Sequence, residues 1–379
     1  MVKLCTYQAQ DGDFFWVRYK SSEESNYHNL VVDGGRKSNA DDFCEMLEKI
    51  CEKDEKVDAI FLTHFDQDHI MGMFRGIQKA KKKNCIPEIE SIYLNTGKGY
   101  LQHHKQYKEI PETLPEEKVK IPLDTPGYSA NDVEKLVDLL QSYNLEKCLK
   151  SYITQSDGKV MIGGARLYII SPSEDTLLNL IQNWPGLKST VITNAYGGIK
   201  TEWESSLDEL MLQSASEDGS ISNGASIAFL FEFEQTKIAF LGDAHPSVCV
   251  DGLLKLGYSE ENPCMVDLVK ISHHGSKHNC TEKLLHILKS KRYLLSTDGR
   301  DGRLPDKLTI AKMVKDNESV IIYCNYGWWE RLIYRRFFTE EDKKRWIDTK
   351  RLQLIELSTE NAADNIKNGF ELYGARKTW

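Results

Sequence analysis

Val57-Asp58-Ala59-Ile60-Phe61-Leu62-Thr63-His64-Phe65-Asp66-Gln67-Asp68-His69 sets an apolar run directly against two imidazoles and two carboxylates. The run reads as a buried strand from Val57 to Thr63, and the pattern after it, from about Met71 to Lys83, reads as a helix. The ligand-type side chains therefore fall in the turn between strand and helix. In His64-x-Asp66-x-Asp68-His69, positions two apart in an extended turn point to one side, while Asp68 and His69, at the helix start, can face a second point. Nitrogen and oxygen donors at this density, with no thiolate, suit zinc or a harder ion such as manganese.

Two later segments repeat the design. Ile238-Ala239-Phe240-Leu241-Gly242-Asp243-Ala244 is an apolar strand ending in Gly-Asp, and Leu268-Val269-Lys270-Ile271-Ser272-His273-His274-Gly275-Ser276 ends in imidazoles. Three apolar strands, each ending in potential ligands, fit one shared edge of a sheet. Around them short β-rich runs alternate with helical patterns in two successive halves, which points to a layered α/β sandwich. Residues 97–130, rich in Gly, Pro, His and Lys, read as a long lid-like loop, and 184–222 as an insertion bordering the site or a partly disordered stretch. The tail 324–379 reads as an aromatic and basic C-terminal extension packed on a catalytic domain of residues 1–323.

The ordered set of motifs resembles the metallo-β-lactamase superfamily, and within it the branch related to the hydrolase domain of the DNA-uptake protein ComEC. That branch has an HxDxDH loop, an Asn-x-x-Ser strand start, a Gly-Asp strand end and an HHGS turn in this order. Here they are His64–His69, Asn223-Gly224-Ala225-Ser226, Gly242-Asp243 and His273–Ser276. The resemblance implies a four-layered αββα sandwich (α/β, α+β) with two divalent ions, Zn2+ or Mn2+, at one edge. It implies His64 and Asp66 on the first ion, Asp68 and His69 on the second, Asp243 bridging both, and His274 completing the second. His273 is then an alternative ligand or a support behind one. Asp33, in Val-Val-Asp-Gly-Gly, is expected to accept a hydrogen bond from a ligand imidazole.

Many superfamily members carry a further histidine between the first motif and the bridging aspartate. In that interval this sequence has His103 and His104, both in the expected lid, while Asn223 stands nearer the missing ligand's place. The implied chemistry is hydrolysis, with two ions roughly 3.5–4 Å apart lowering the pKa of a shared water toward neutrality. Asp68 or Asp243 is expected to orient that nucleophile or take its proton. Ser276 and Lys277 are placed to donate to a substrate phosphate, and His103 and His104 to line the substrate's path.

Composition narrows the rest. No apolar run approaches the roughly 18–20 residues that cross a bilayer, so no membrane partner is expected and the chain reads as cytoplasmic. Nine cysteines are odd in number, scattered and never spaced as CxxC, which argues against a disulfide framework or a zinc knuckle. The net charge of −8 creates no global attraction for polyanions. Trp328-Trp329, Arg331, Tyr334-Arg335-Arg336, Phe337-Phe338 and Lys343-Lys344-Arg345-Trp346 interleave cations with aromatics, as nucleic-acid surfaces do and as a packed strand and helix also do.

These features lead to a phosphodiesterase, with nucleic acid as the expected substrate. Two alternatives stay open, a hydrolase of a small ester, lactone or thioester, and a metal-poor scaffold subunit in a multi-protein system. A partner protein or homo-oligomer stays open with each.

Overall fold

The computed structural model describes residues 1–107, 130–183, 201–300, 304–357, 363–367 and 369–375. The strands assemble into two eight-stranded sheets. The first runs β17 (Ala363–Lys367), β18 (Phe370–Ala375), β1 (Val2–Tyr7), β2 (Phe15–Tyr19), β3 (His28–Val32), β4 (Ala59–Phe61), β5 (Ile92–Tyr93), β6 (Leu149–Lys150). The second runs β16 (Leu352–Glu356), β15 (Val320–Cys324), β14 (Arg292–Leu295), β12 (Leu268–Lys270), β10 (Thr236–Phe240), β9 (Ala228–Phe233), β8 (Ala165–Ser171), β7 (Lys159–Ile162). β11 (Cys264–Met265) and β13 (Leu288–Lys289) form a small parallel pair.

Side-chain alternation shows how the sheets stack. In β9, Phe229 and Phe231 enter a core shared with Phe15, Val17 and Phe61 of the first sheet. Ala228 and Leu230 face the opposite way, into a second core. Period two thus gives each central strand two apolar faces, one for the other sheet and one for helices. Helices α1 (Ala40–Glu52), α2 (Gln67–Lys83), α3 (Gly97–Tyr107), α4 (Ala130–Ser142) and α5 (Glu174–Asn183) contribute to the core outside the first sheet. On the second sheet, after the single turns α6 (Leu207–Leu210) and α7 (Ile221–Gly224), lie α8 (Pro246–Lys255), α9 (Glu282–Ile287) and α10 (Lys307–Val314). The order helix, sheet, sheet, helix is the expected αββα sandwich.

The site edge follows from strand direction. β3, β4 and β5 are parallel to one another, as are β10, β12 and β14. Their carboxyl ends meet on one rim, the place where open α/β sheets bind ligands.

Three segments depart from the sequence reading. Residues 97–107 of the expected lid form a helix, because Thr96 Oγ1 caps it by accepting from Gly99 N at 2.9 Å and Tyr100 buries its ring. Residues 108–129 lie outside the described residues, as do 184–200 of the expected insertion. The rest of that insertion is ordered, with Trp203 in the core of the second sheet, where it packs on Tyr334 and Phe337. The expected C-terminal extension enters both sheets, with β16 paired to β15 and β18 paired in parallel to β1. No described helix is long and apolar enough to cross a membrane.

Candidate metal centre

The ligand motif begins where β4 stops. Asp66 is the extended residue before α2, and Asp68 and His69 occupy its first turn, where the helix dipole favours carboxylates. That turn sits hard against two backbone segments. A Cβ on Gly72 would come 1.8 Å from the Gly34 carbonyl oxygen, and one on Gly12 would come 2.1 Å from the Asp68 carbonyl oxygen. The second glycine-rich requirement is at Gly242, whose φ is +49 and whose Cβ would press on Ser226 Oγ at 2.5 Å. Gly242 therefore lets Asp243 turn inward, its N–H donating to Ser226 Oγ at 3.1 Å.

His273 and His274 both adopt positive φ, +46 and +53. Two consecutive non-glycine residues in that region store strain that the surrounding fold must hold. The hold comes from both ends, with His273 N donating to Gly242 O at 3.0 Å and Ser276 N donating to His273 O at 2.9 Å.

Each of the four imidazoles has its Nδ1 engaged. His64 Nδ1 lies 3.1 Å from Thr63 Oγ1 and His69 Nδ1 lies 2.8 Å from Asp33 Oδ2. His273 Nδ1 lies 3.0 Å from Asn279 Oδ1 and His274 Nδ1 lies 2.8 Å from the Ser296 carbonyl. Acceptors at Nδ1 make that nitrogen the donor and leave Nε2 with a bare lone pair. All four Nε2 atoms converge on Asp243 Oδ2, at 3.7 Å for His64 and His69, 3.9 Å for His273 and 3.8 Å for His274. Asp68 Oδ2 lies 3.8 Å from His69 Nε2 and 3.7 Å from His274 Nε2. Asp66 Oδ2 is 3.7 Å from His64 Nε2, and its other oxygen accepts from Ser222 Oγ at 2.8 Å.

This set fits divalent cations. His64 Nε2, His69 Nε2, His274 Nε2 and Asp243 Oδ1 are buried with no hydrogen-bond partner among the described residues. Atoms bound tetrahedrally at about 2.0–2.1 Å stand roughly 3.4 Å apart, so these spacings need only small closure around an ion. Electrostatics agree. Burial disfavours charge on His64, yet Asp66, Asp243 and Asp33 raise it to about 10. Burial and the neighbouring His64 charge hold His69 well below its ordinary value. Burial raises Asp68 to about 7 despite Arg36. Asp243 is pulled the other way against its burial, held far down by the four imidazoles. Cations that displace the shared protons relieve this crowding.

The remaining expected residues fall as follows. Asp33 Oδ1 accepts from Thr63 N at 2.8 Å, and Oδ2 accepts from Thr63 Oγ1 and faces His69, so it stands behind that imidazole. Asn223 Nδ2 donates to Asp218 Oδ2 at 2.7 Å and lies 3.3 Å from His273 Nδ1, which places it beside the imidazole. Ser276 is buried, and its Oγ accepts from His278 N at 3.3 Å. Lys277 Nζ pairs with Glu202 at 3.1 Å. His103 stacks on Tyr152 at 3.8 Å and His104 packs at a tilt on Tyr100 at 4.0 Å, with His104 Nε2 3.8 Å from Glu174.

The sequence reading missed several supports. Asp218 accepts from Asn223 and Asn279, and is held well below the carboxylate range by His273 and these amides in spite of burial. Lys270, fully buried on β12, pairs with Asp13 from the turn before β2 and donates to the Gly242 carbonyl at 3.1 Å. Asp13 in turn stands 3.6 Å from His274 Nδ1. A lysine inside an otherwise apolar strand, Leu268-Val269-Lys270-Ile271, was the available signal.

Residues 24–137, which contain the whole first motif, match the family model described as the metallo-beta-lactamase superfamily. The match, together with the two sheets and flanking helices, agrees with a metallo-β-lactamase fold. No curated protein sequence matches. Among solved structures, the metallo-beta-lactamase fold protein YhfI from Bacillus subtilis is 10% identical with a TM-score of 0.38, covering 94% of this chain and 97% of that one. A diphosphatase from the PhnP family is 12% identical with a TM-score of 0.33, covering 77% and 78%. A long-form RNase Z from yeast is 12% identical with a TM-score of 0.35, covering 78% and 37%. Likenesses this distant say nothing about substrate.

Proposed function

We propose that this protein is a metal-dependent hydrolase of phosphodiester bonds that holds two divalent cations, Zn2+ or Mn2+. In this reading His64, Asp66 and His273 hold one cation, Asp68, His69 and His274 hold the other, and Asp243 lies between them. The observation that carries it is the convergence of four Nε2 atoms on one carboxylate oxygen at 3.7–3.9 Å. His273 fills the role for which the sequence offered no histidine upstream of Asp243, because its strained backbone turns both members of the His-His pair inward.

Cations held there supply Lewis acidity and bring the pKa of water toward neutrality. The protein's own part is orientation and proton handling. Asp68 and Asp243 each face the centre with a carboxylate oxygen that can orient a water and accept its proton. Asp33, Asn279 and the Ser296 carbonyl fix the tautomers of His69, His273 and His274, and Ser222 turns Asp66.

The all-oxygen-and-nitrogen donor set and the ComEC-like order of motifs support a phosphodiester, with nucleic acid as the substrate class. A second reading, a small ester, lactone or thioester, is favoured by the net charge of −8 and by the buried tail aromatics. Trp328, Tyr334, Phe337 and Trp346 lie in the core of the second sheet and offer bases no stacking face. Incubation with labelled single- and double-stranded DNA and RNA in Mn2+ or Zn2+ separates these readings, with Asp68→Ala as control. Cleavage above that control is expected. Its absence, with hydrolysis of small-ester substrates, moves the assignment to the second reading, and failure to bind either metal removes both in favour of a scaffold.

A further inference from the structure

Helix α2 carries Asp68 and His69 at its first turn, and its other end meets a different set of ligand-type groups. Cys44 and Glu48 lie one turn apart on α1 and so share a face. α1 and α2 pack closely at Gly76, where a Cβ would come 2.6 Å from Phe43 Cβ. After Lys83, Asn84 takes a left-handed conformation, φ 56, and the chain turns so that Cys85 N donates to the Ala80 carbonyl at 3.0 Å. That turn carries the Cys85 sulfur across to α1, 3.7 Å from Glu48 Oε1. The two sulfurs and the carboxylate oxygen all lie within 4.8 Å of one another.

We propose that Cys44, Glu48 and Cys85 form a separate site for a soft divalent cation such as Zn2+, clipping α1 to the end of α2. Two sulfurs bound tetrahedrally at about 2.3 Å stand roughly 3.8 Å apart, so the cluster needs little closure. Cys44 is buried, while Glu48 and Cys85 are partly exposed, which gives the cation a path from solvent and leaves a fourth position for water. Binding releases the two thiol protons to solvent. The site then holds two thiolates and a carboxylate against a dication, and Lys83, 2.7 Å from Glu48, balances the remaining negative charge. Seventeen residues of α2, about 25 Å of helix, separate this cluster from the His64–His69 centre. The two sites also differ in donor class, thiolate here and imidazole there.

That difference supplies the test. Titrating reduced, full-length protein with Cd2+ while following the thiolate-to-cadmium charge-transfer absorbance reads this site alone, since imidazole and carboxylate ligands give no such band. The expected result is a band that saturates with a single Cd2+ per chain. It disappears in Cys44→Ser and in Cys85→Ser, weakens by about tenfold or more in Glu48→Gln, and is unchanged in Cys51→Ser, a control at an exposed cysteine. Glu48→Gln alters a partly exposed side chain and carries the test if a serine variant does not fold. No band, a band that survives either serine substitution, an unchanged affinity in Glu48→Gln, or a Cys44–Cys85 disulfide in protein isolated anaerobically overturns the proposal. None of these outcomes bears on hydrolysis at the other end of α2.

Discussion

The two halves of the candidate metal centre are built by opposite means. The His64–His69 half sits at a helix start, where Asp66, Asp68 and His69 adopt ordinary backbone conformations and the helix dipole favours their carboxylates. The His273–His274 half is a strained turn, two left-handed histidines in succession, held by backbone bonds to Gly242 and by Asn279 and the Ser296 carbonyl. One half therefore keeps its shape by local propensity. The other keeps it only while β10, β12 and β14 stay in register.

Substitutions can break or sharpen this contrast. The largest effect is expected at Asp243→Ala, which removes the oxygen both halves face. Metal content measured by elemental analysis should fall toward zero, and hydrolysis should fall by more than the roughly 100-fold that follows loss of an outer hydrogen-bond partner.

Next comes Lys270→Met, which removes a buried support of the strained half. It leaves the buried Asp13 carboxylate without its partner, and denaturant unfolding should show a loss of about 3–5 kcal/mol. The double variant Asp13→Leu/Lys270→Met should recover much of that stability, because a buried pair can be replaced by apolar groups more cheaply than it can be broken. If Lys270→Met alone unfolds like the native protein, the strained turn is held by something other than this pair.

Asp33→Asn keeps shape at the helix half while weakening the acceptor behind His69. Metal affinity should drop by about 10–100-fold with little change in unfolding. The smallest effect is expected at Ser222→Ala, which removes one hydrogen bond to Asp66, worth about 0.5–1.5 kcal/mol because water can reach that partly exposed carboxylate in its place. Read as metal affinity, it should be weaker than Asp33→Asn, and the reverse order would mean that the first cation is the tighter one.

The tail teaches the same lesson on a larger scale. Its interleaved aromatics and cations were compatible with a nucleic-acid surface or with packing. Trp328, Tyr334, Phe337 and Trp346 prove to be residues of the same core as Trp203, and the strands that follow close the edges of both sheets. Periodicity within the segment could not show this, since the partner Trp203 lies in a stretch with no clear pattern, and β1, the neighbour of β18, lies at the other end of the chain. Likewise, 97–107 looked like a loop by composition, yet one threonine cap and one buried tyrosine suffice for a helix.

Sequence alone determined a layered α/β sandwich, refined to αββα by the family resemblance, and marked His64, Asp66, Asp68, His69, Asp243 and the His-His pair as ligand-type groups. It could do so because ligands at strand ends must be close in the chain to an apolar run, and such runs are visible locally. Only the tertiary structure decided that His273 as well as His274 faces Asp243, that Asn223 stands beside an imidazole, and that Asp13, Asp218 and Lys270 belong to the centre at all. Those facts depend on which strand ends meet across two sheets and on a backbone conformation that histidine seldom adopts unaided, and neither is written in the spacing of residues along one chain.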